Sequence, residues 1–209
     1  MNDYRDFAIN IASEAGAIIR QNFTLGMKKE WKEDKTPITV TDQVVNDVVV
    51  SKIQAAFPHH DILAEEGSPG LTGSEYVWVC DPVDGTIPFS HGVPTFTFSL
   101  GLVRDGVSIL GVVYDPMQDR MYVGEKGKGA LMNGERLRAN NLPLDHRAFI
   151  DFEWNRHIPV PLLPLATSFA ASGVKLTTGL SMVYYGALVA QGNCTAVVAD
   201  GTSAWDCAA

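Results

Sequence analysis

Apolar residues recur at three- and four-residue steps near the start of the chain: Tyr4, Phe7, Ala8, Ile11, Ala12, Ala15, Ile18, Ile19 and Phe23. That spacing forms one stripe on a helix, predicted over about residues 3–24, with Gly26 as its stop. The charged run at 28–35 reads as a loop or an exposed hairpin. A second helix is predicted over roughly 42–57, with Thr41 as its N-cap and Pro58 closing it.

After Pro58 the period shortens. Ile62 and Leu63 lead into Ala64-Glu65-Glu66-Gly67, and the apolar run 76–80 ends at Asp81. Runs at 96–103, 107–114 and 120–125 are separated by Arg104-Asp105-Gly106 and Asp115-Pro116-Met117. Short apolar runs divided by turn residues predict an antiparallel meander. Helix-like and strand-like stretches then alternate at about 160–172, 174–178, 181–191 and 194–199. The region 141–165 is rich in Pro and carries the weakest pattern. The whole reads as α+β, with sheets covered by helices.

Composition narrows this picture. With 209 residues, 46% of them hydrophobic and 19% charged, the chain suffices for one domain or two tightly packed lobes. A net charge of -8 argues against non-specific nucleic-acid binding, which needs clustered Lys and Arg. It leaves an anionic substrate open, because bound cations reverse the local sign of a site. Cys80, Cys194 and Cys207 have neither disulfide-framework nor zinc spacing and read as buried free thiols in a reducing compartment. No signal peptide and no membrane-spanning run is visible, so the expectation is a cytoplasmic protein without a membrane partner.

The chemistry concentrates in Asp81-Pro82-Val83-Asp84-Gly85-Thr86. An apolar strand delivers two carboxylates three residues apart, with the Val83 carbonyl between them, and hard cations such as Mg²⁺ take oxygen ligands of this kind. Gly85 lets the backbone turn sharply, and N–H groups of Gly85 and Thr86 at the start of a helical turn would suit phosphate. A plain strand-to-turn connection is the competing reading. The aspartyl nucleophile motif of haloacid-dehalogenase-type phosphatases, D-x-D-x-T, differs in placing its acids two residues apart. Three further acidic features each have a bland explanation when taken alone. Glu65-Glu66 reads as a solvated corner, Asp42 as a helix-start carboxylate, and Asp206 in Trp205-Asp206-Cys207-Ala208-Ala209 as a cap.

Together, D-P-x-D-G-T, the paired Glu and the W-D-x-A-A ending resemble the inositol monophosphatase family in order and spacing. Gly127-Lys128-Gly129-Ala130, Asn133-Gly134 and Thr39-Val40-Thr41-Asp42 add to the likeness. The resemblance implies a layered α-β-α-β-α sandwich of the inositol monophosphatase and fructose-1,6-bisphosphatase type. It implies an N-terminal α+β lobe over 1–139 and a C-terminal α/β lobe over 140–209, the latter incomplete. It further implies a Mg²⁺-dependent phosphomonoesterase with two to three ions, in which a metal-activated water attacks a small phosphate monoester.

In that scheme Glu66, Asp81 and the Val83 carbonyl hold one ion, and Asp81, Asp84 and Asp206 a second. A third lies near Glu66. Thr86, bonded to Asp42, orients the water and Glu66 counts with them as catalytic, while Gly85 and Thr86 hold phosphate oxygens and Asp206 also binds substrate. Cys80 reads as core and His91 as a loop residue. A cytoplasmic homodimer is implied as well. Ala199 stands where inositol-specific relatives carry a Glu that contacts the polyol. The substrate is therefore open among polyol and sugar phosphates, including fructose 1,6-bisphosphate, histidinol phosphate and adenosine 3′,5′-bisphosphate. A catalytically impaired metal-binding member acting through dimer contacts is the alternative. The family pattern also leads one to expect a polypeptide of about 250 to 270 residues, with Asp206 at the head of a helix.

Overall fold

The computed structural model describes residues 2–25, 27–33, 37–153 and 162–209. The expected helix stop at Gly26, the end of the charged run at Asp34 and Lys35, and the first residues of the 160–172 helix lie outside them. Helix α1 (Asn2–Asn22) buries Ala8, Ile11, Ala12, Ala15 and Ile19, as its stripe requires. Strands β1 (Glu30–Trp31) and β2 (Pro37–Ile38) pair antiparallel, so part of the charged run is a hairpin.

Helix α2 (Val40–Ala56) begins earlier than predicted, and its N-cap is Thr39 rather than Thr41. Thr39 has the extended backbone a cap needs (φ -115, ψ 164) and accepts the Thr41 N–H at 3.2 Å. Asp42 completes a capping box by accepting the Thr39 N–H at 2.9 Å.

Strands β3 (Asp61–Ala64) and β4 (Tyr76–Asp84) run parallel, and a short helix α3 (Thr86–Ser90) follows. The meander is β5 (Thr97–Arg104), β6 (Val107–Asp115) and β7 (Arg120–Glu125), as expected. It continues into β8 (Gly129–Met132) and β9 (Glu135–Arg136), giving a seven-stranded sheet ordered β3-β4-β5-β6-β7-β8-β9. β4 does not stop at Cys80. It continues through an irregular register between Asp81 and Asp84, where Pro82, which has no N–H, is tolerated.

The weakly patterned region contains β10 (Phe149–Glu153). After it come α4 (Leu162–Ala171), β11 (Lys175–Thr177), α5 (Met182–Gln191) and β12 (Ala196–Ala199). The three strands form a parallel sheet ordered β11-β10-β12.

The layers stack as α-β-α-β-α. α1 and α2 cover one face of the large sheet, with Trp78, Phe96, Phe98 and Leu100 in the core between them. α5 lies on the other face, where Val183 and Ala187 meet Val113 and Tyr122, and it also touches β12. α4 closes the far side of the small sheet through Leu162 and Ala166 against Ile150 and Phe152. Each fully buried side chain of this size contributes roughly 1.5–3 kcal/mol of burial free energy. Phe89 and Phe96 meet edge-on at 4.9 Å and anchor α3, hence the turn before it, to this core.

Asp206 is carried not on a helix but on a turn, with the Cys207 and Ala208 N–H groups both bonded to Ala204 O. The segment after it lies on two glycines that face each other across β5 and β6, Gly101 and Gly111. A Cβ at Gly101 would stand 2.6 Å from Ala208 O. Gly101→Val should therefore lift this segment, at about 1–3 kcal/mol, and displace Asp206. Loss of any Mg²⁺-induced rise in Tm with unchanged far-UV circular dichroism is expected; an undiminished rise would show that Asp206 is held by other means.

Candidate metal centre

The end of β4 places Asp81 and Asp84, both buried, with the Asp81 Oδ1 accepting the Val83 N–H at 3.0 Å. Gly85 then turns the chain with φ 89, a left-handed value. A side chain at that position would also collide, its Cβ lying 2.8 Å from Ser181 Cβ and 2.9 Å from Thr95 O. Thr86 follows, its hydroxyl 3.1 Å from both Asp42 Oδ1 and Val83 O. Having one hydrogen, it donates to one of them at a time.

Asp84 Oδ2 is the busiest acceptor. It takes the Ser181 hydroxyl, the Val183 and Tyr184 N–H groups at 3.2 Å each, and the Thr97 hydroxyl at 3.3 Å. A carboxylate thus sits on the first N–H groups of α5, where the helix field favours it. Asp206 Oδ2 accepts the Ser203 N–H at 2.6 Å.

Asp81, Asp84 and Asp206, distant in sequence, each bring an oxygen to within 4.8 Å of the others. Burial pushes Asp81 well above the ordinary carboxylate range, and Glu65, Asp84, Asp206 and Asp42 push it further. Asp84 is raised to about 6, by burial first and with Asp206 adding to it, against the pull of its donors. Asp206 and Asp42 are raised by burial too. Such a group, all oxygen and short of positive charge, fits a hard divalent cation.

Glu66 lies apart from the three. With Glu65 it grips Lys32 from the hairpin, at 2.5 Å and 2.9 Å respectively. Burial raises Glu66 to about 7 despite that partner. The ammonium stands where a cation would balance these acids.

The sequence motifs single out Asp42, Glu66, Asp81, Val83, Asp84, Gly85, Thr86 and Asp206. They do not single out Lys32, nor Ser181 as a partner of Asp84, although a Ser opening a predicted helix is itself a signal. Glu65, in sequence only half of an acidic pair, is the strongest neighbouring charge on Asp81. Cys80 is buried, as expected, and His91 is an exposed residue closing α3. Cys207 is exposed, contrary to the expectation of buried thiols, because it rides on the turn outside the core.

A folded-state pKa above the unfolded one favours folding below the unfolded value and loses that contribution as pH rises through the folded value. For Asp84 the loss falls between about pH 4 and 6 and is worth roughly 2–3 kcal/mol. Glu66 extends it to about 7. Mg²⁺ should offset this, so the gap in Tm between Mg²⁺-loaded and metal-free protein is expected to widen from pH 5 to pH 8. A gap constant across that range would contradict the site.

The sequence pattern of the inositol monophosphatase family matches residues 1–209. The chain belongs to that family. It is 36% identical to rat inositol monophosphatase 1 over 140 residues, covering 65% of this chain and 50% of the relative. It is 34% identical over 153 residues to the Aquifex aeolicus fructose-1,6-bisphosphatase/inositol-1-monophosphatase, covering 72% and 58%. The chain spans about half the length of the mammalian relatives it matches. Among solved structures, the IMPase of Thermotoga maritima superposes with a TM-score of 0.88 at 28% identity, covering 99% of this chain and 80% of that one. The inositol monophosphatase of Anabaena gives 0.84 at 27% identity, covering 99% and 78%. The layered architecture is the fold these family members share.

Proposed function

We propose that this chain is a Mg²⁺-dependent phosphomonoesterase acting on a small polyol, sugar or related phosphate. The observation that carries the reading is the convergence of Asp81, Asp84 and Asp206 within 4.8 Å, beside a Thr86–Asp42 pair at 3.1 Å. Asp81, Asp84 and Asp206 would hold one ion. Glu66, Asp81 and the Val83 carbonyl would hold another once Lys32 releases Glu66, and a third would lie near Glu66. Bound Mg²⁺ supplies a lowered water pKa and positive charge against the phosphoryl group.

The chain's own residues do the rest. Asp42 accepts the Thr86 hydrogen, which turns the Thr86 oxygen to accept a proton from the attacking water. The Gly85 and Thr86 N–H groups hold phosphate oxygens. Lobes of 1–139 and 140–209 fit this reading, since the large sheet ends at Arg136 and the small one begins at Phe149. The same family relationship carries a cytoplasmic homodimer, which size-exclusion with light scattering checks. Among the described residues no helix is long and apolar enough to cross a membrane.

Ala199 leaves the polyol without a carboxylate at that position, so myo-inositol 1-phosphate is not expected to stand out. Names of relatives broaden the panel: one includes fructose-1,6-bisphosphatase, and a related structure is described as bound to 2′AMP. Phosphate release from such a panel with Mg²⁺ tests the proposal. Activity on at least one ester is expected, and a hundredfold preference for inositol phosphate would overturn the specificity reading. Mg²⁺ binding without turnover on any ester would favour a non-catalytic member instead.

A further inference from the structure

Strand β10 reads Phe149-Ile150-Asp151-Phe152-Glu153, and its alternation divides the work of its two faces. Ile150 and Phe152 enter the core with α4. Asp151 and Glu153 share the opposite face, toward α5, and the proposed reaction uses neither. Asp151 is fully buried, and its Oδ1 accepts the Gly179 N–H at 2.9 Å. Glu153 Oε1 accepts the Ser181 N–H at 3.0 Å.

Between those two anchored N–H groups lies Leu180, with φ 60, a conformation costly for a bulky side chain. The strained turn is therefore held from below by the two carboxyls. From above it holds Asp84, through the Ser181 hydroxyl and the N–H groups of Val183 and Tyr184.

Asp151 Oδ2 has no hydrogen-bond partner as an ionised group among the described residues. A buried orphan oxygen is costly. The Asp151 and Glu153 carboxyls lie within hydrogen-bonding reach of each other, so one shared proton lets the protonated carboxyl donate to the other.

We infer that Asp151 and Glu153 are positioning residues for the metal centre: sharing one proton, they fix the Gly179–Leu180–Ser181 turn and, through Ser181, the orientation of Asp84. This rests on the reading of Asp84 as a metal ligand. Burial and the neighbouring Asp151 push Glu153 to about 9, so the pair keeps its proton through neutral pH. The titratable groups facing it are Asp84 and Tyr185 around α5, and Cys194 before β12. Asp200 adjoins it through a backbone N–H on Glu153 O at 3.3 Å. With a raised pKa, the clamp is intact below the folded value and lost as pH rises through about 9.

Calorimetric Mg²⁺ titration of wild type, Glu153→Ala and Glu153→Gln, at pH 7.5 and pH 9.5, tests this. Glu153→Ala should weaken Mg²⁺ binding about 10- to 100-fold at pH 7.5, the scale for residues that orient metal ligands. Glu153→Gln places a permanent N–H toward Asp151 and should rescue that loss. It should also hold its affinity at pH 9.5, where the wild type declines. Wild-type affinity in Glu153→Ala, or the same decline at pH 9.5 in Glu153→Gln as in wild type, overturns the inference. Should Glu153→Ala not fold, the pH comparison between wild type and Glu153→Gln decides alone. A wild-type protein that takes up no Mg²⁺ at either pH sinks the metal reading itself, and the inference with it.

Discussion

Asp84→Asn should lose nearly all phosphate release, on the order of 10³-fold or more, together with the Mg²⁺-induced rise in Tm. The fold should survive. Asparagine keeps an oxygen that can accept from Ser181, Val183 and Tyr184, so the bonds that seat α5 on the large sheet persist. What disappears is one negative charge from a cluster whose buried members repel each other. The metal-free variant is therefore expected to melt at or above the metal-free wild type. Differential scanning calorimetry with and without Mg²⁺, beside a phosphate-release assay, measures both effects. A variant with wild-type turnover would remove Asp84 from the metal site. A variant that unfolds would show that its charge, not only its hydrogen bonds, holds α5.

Thr86→Val should lower kcat by about 10²–10³-fold, the range for loss of a positioned proton acceptor, with little change in KM. Valine keeps the branched shape, while the hydroxyl that lies 3.1 Å from Asp42 Oδ1 is gone. Asp42 is hydrogen-bonded to that hydroxyl and to the helix cap at Thr39. Asp42→Asn should thus cost a similar factor in rate, and the double variant should be no worse than the poorer single one. Additive losses would separate the two residues into independent roles. Hydrolysis in ¹⁸O water should put one label into the released phosphate; a trapped phosphoenzyme would replace the water mechanism with a covalent one.

How much of this was legible beforehand differs between elements. The apolar stripe of α1 and the meander β5–β7 were readable because periodicity records which face of a local element is buried. β7 was placed to the residue. The α2 cap was misplaced because Thr39 and Thr41 offer the same hydroxyl, and only backbone conformation distinguishes the cap from the first turn. β10 is not legible in the sequence because a strand of five residues in a Pro-rich region gives little period to count.

By itself, then, the sequence determined the family, the acidic motif at the end of β4 and the residue types that suit a hard cation. These are properties of neighbouring residues and of strand or helix period, which act locally. The resemblance already groups Asp206 with Asp81 and Asp84, and the fold brings the three together. Only the tertiary structure decided that Lys32 engages Glu66 and that Ser181 seats Asp84 on α5. It also decided that Asp151 and Glu153 lie beneath that seat. Those outcomes follow from which layers pack together. Packing is set by the summed burial of the whole core, and the desolvation that raises these carboxyls exists only once the layers have closed over them.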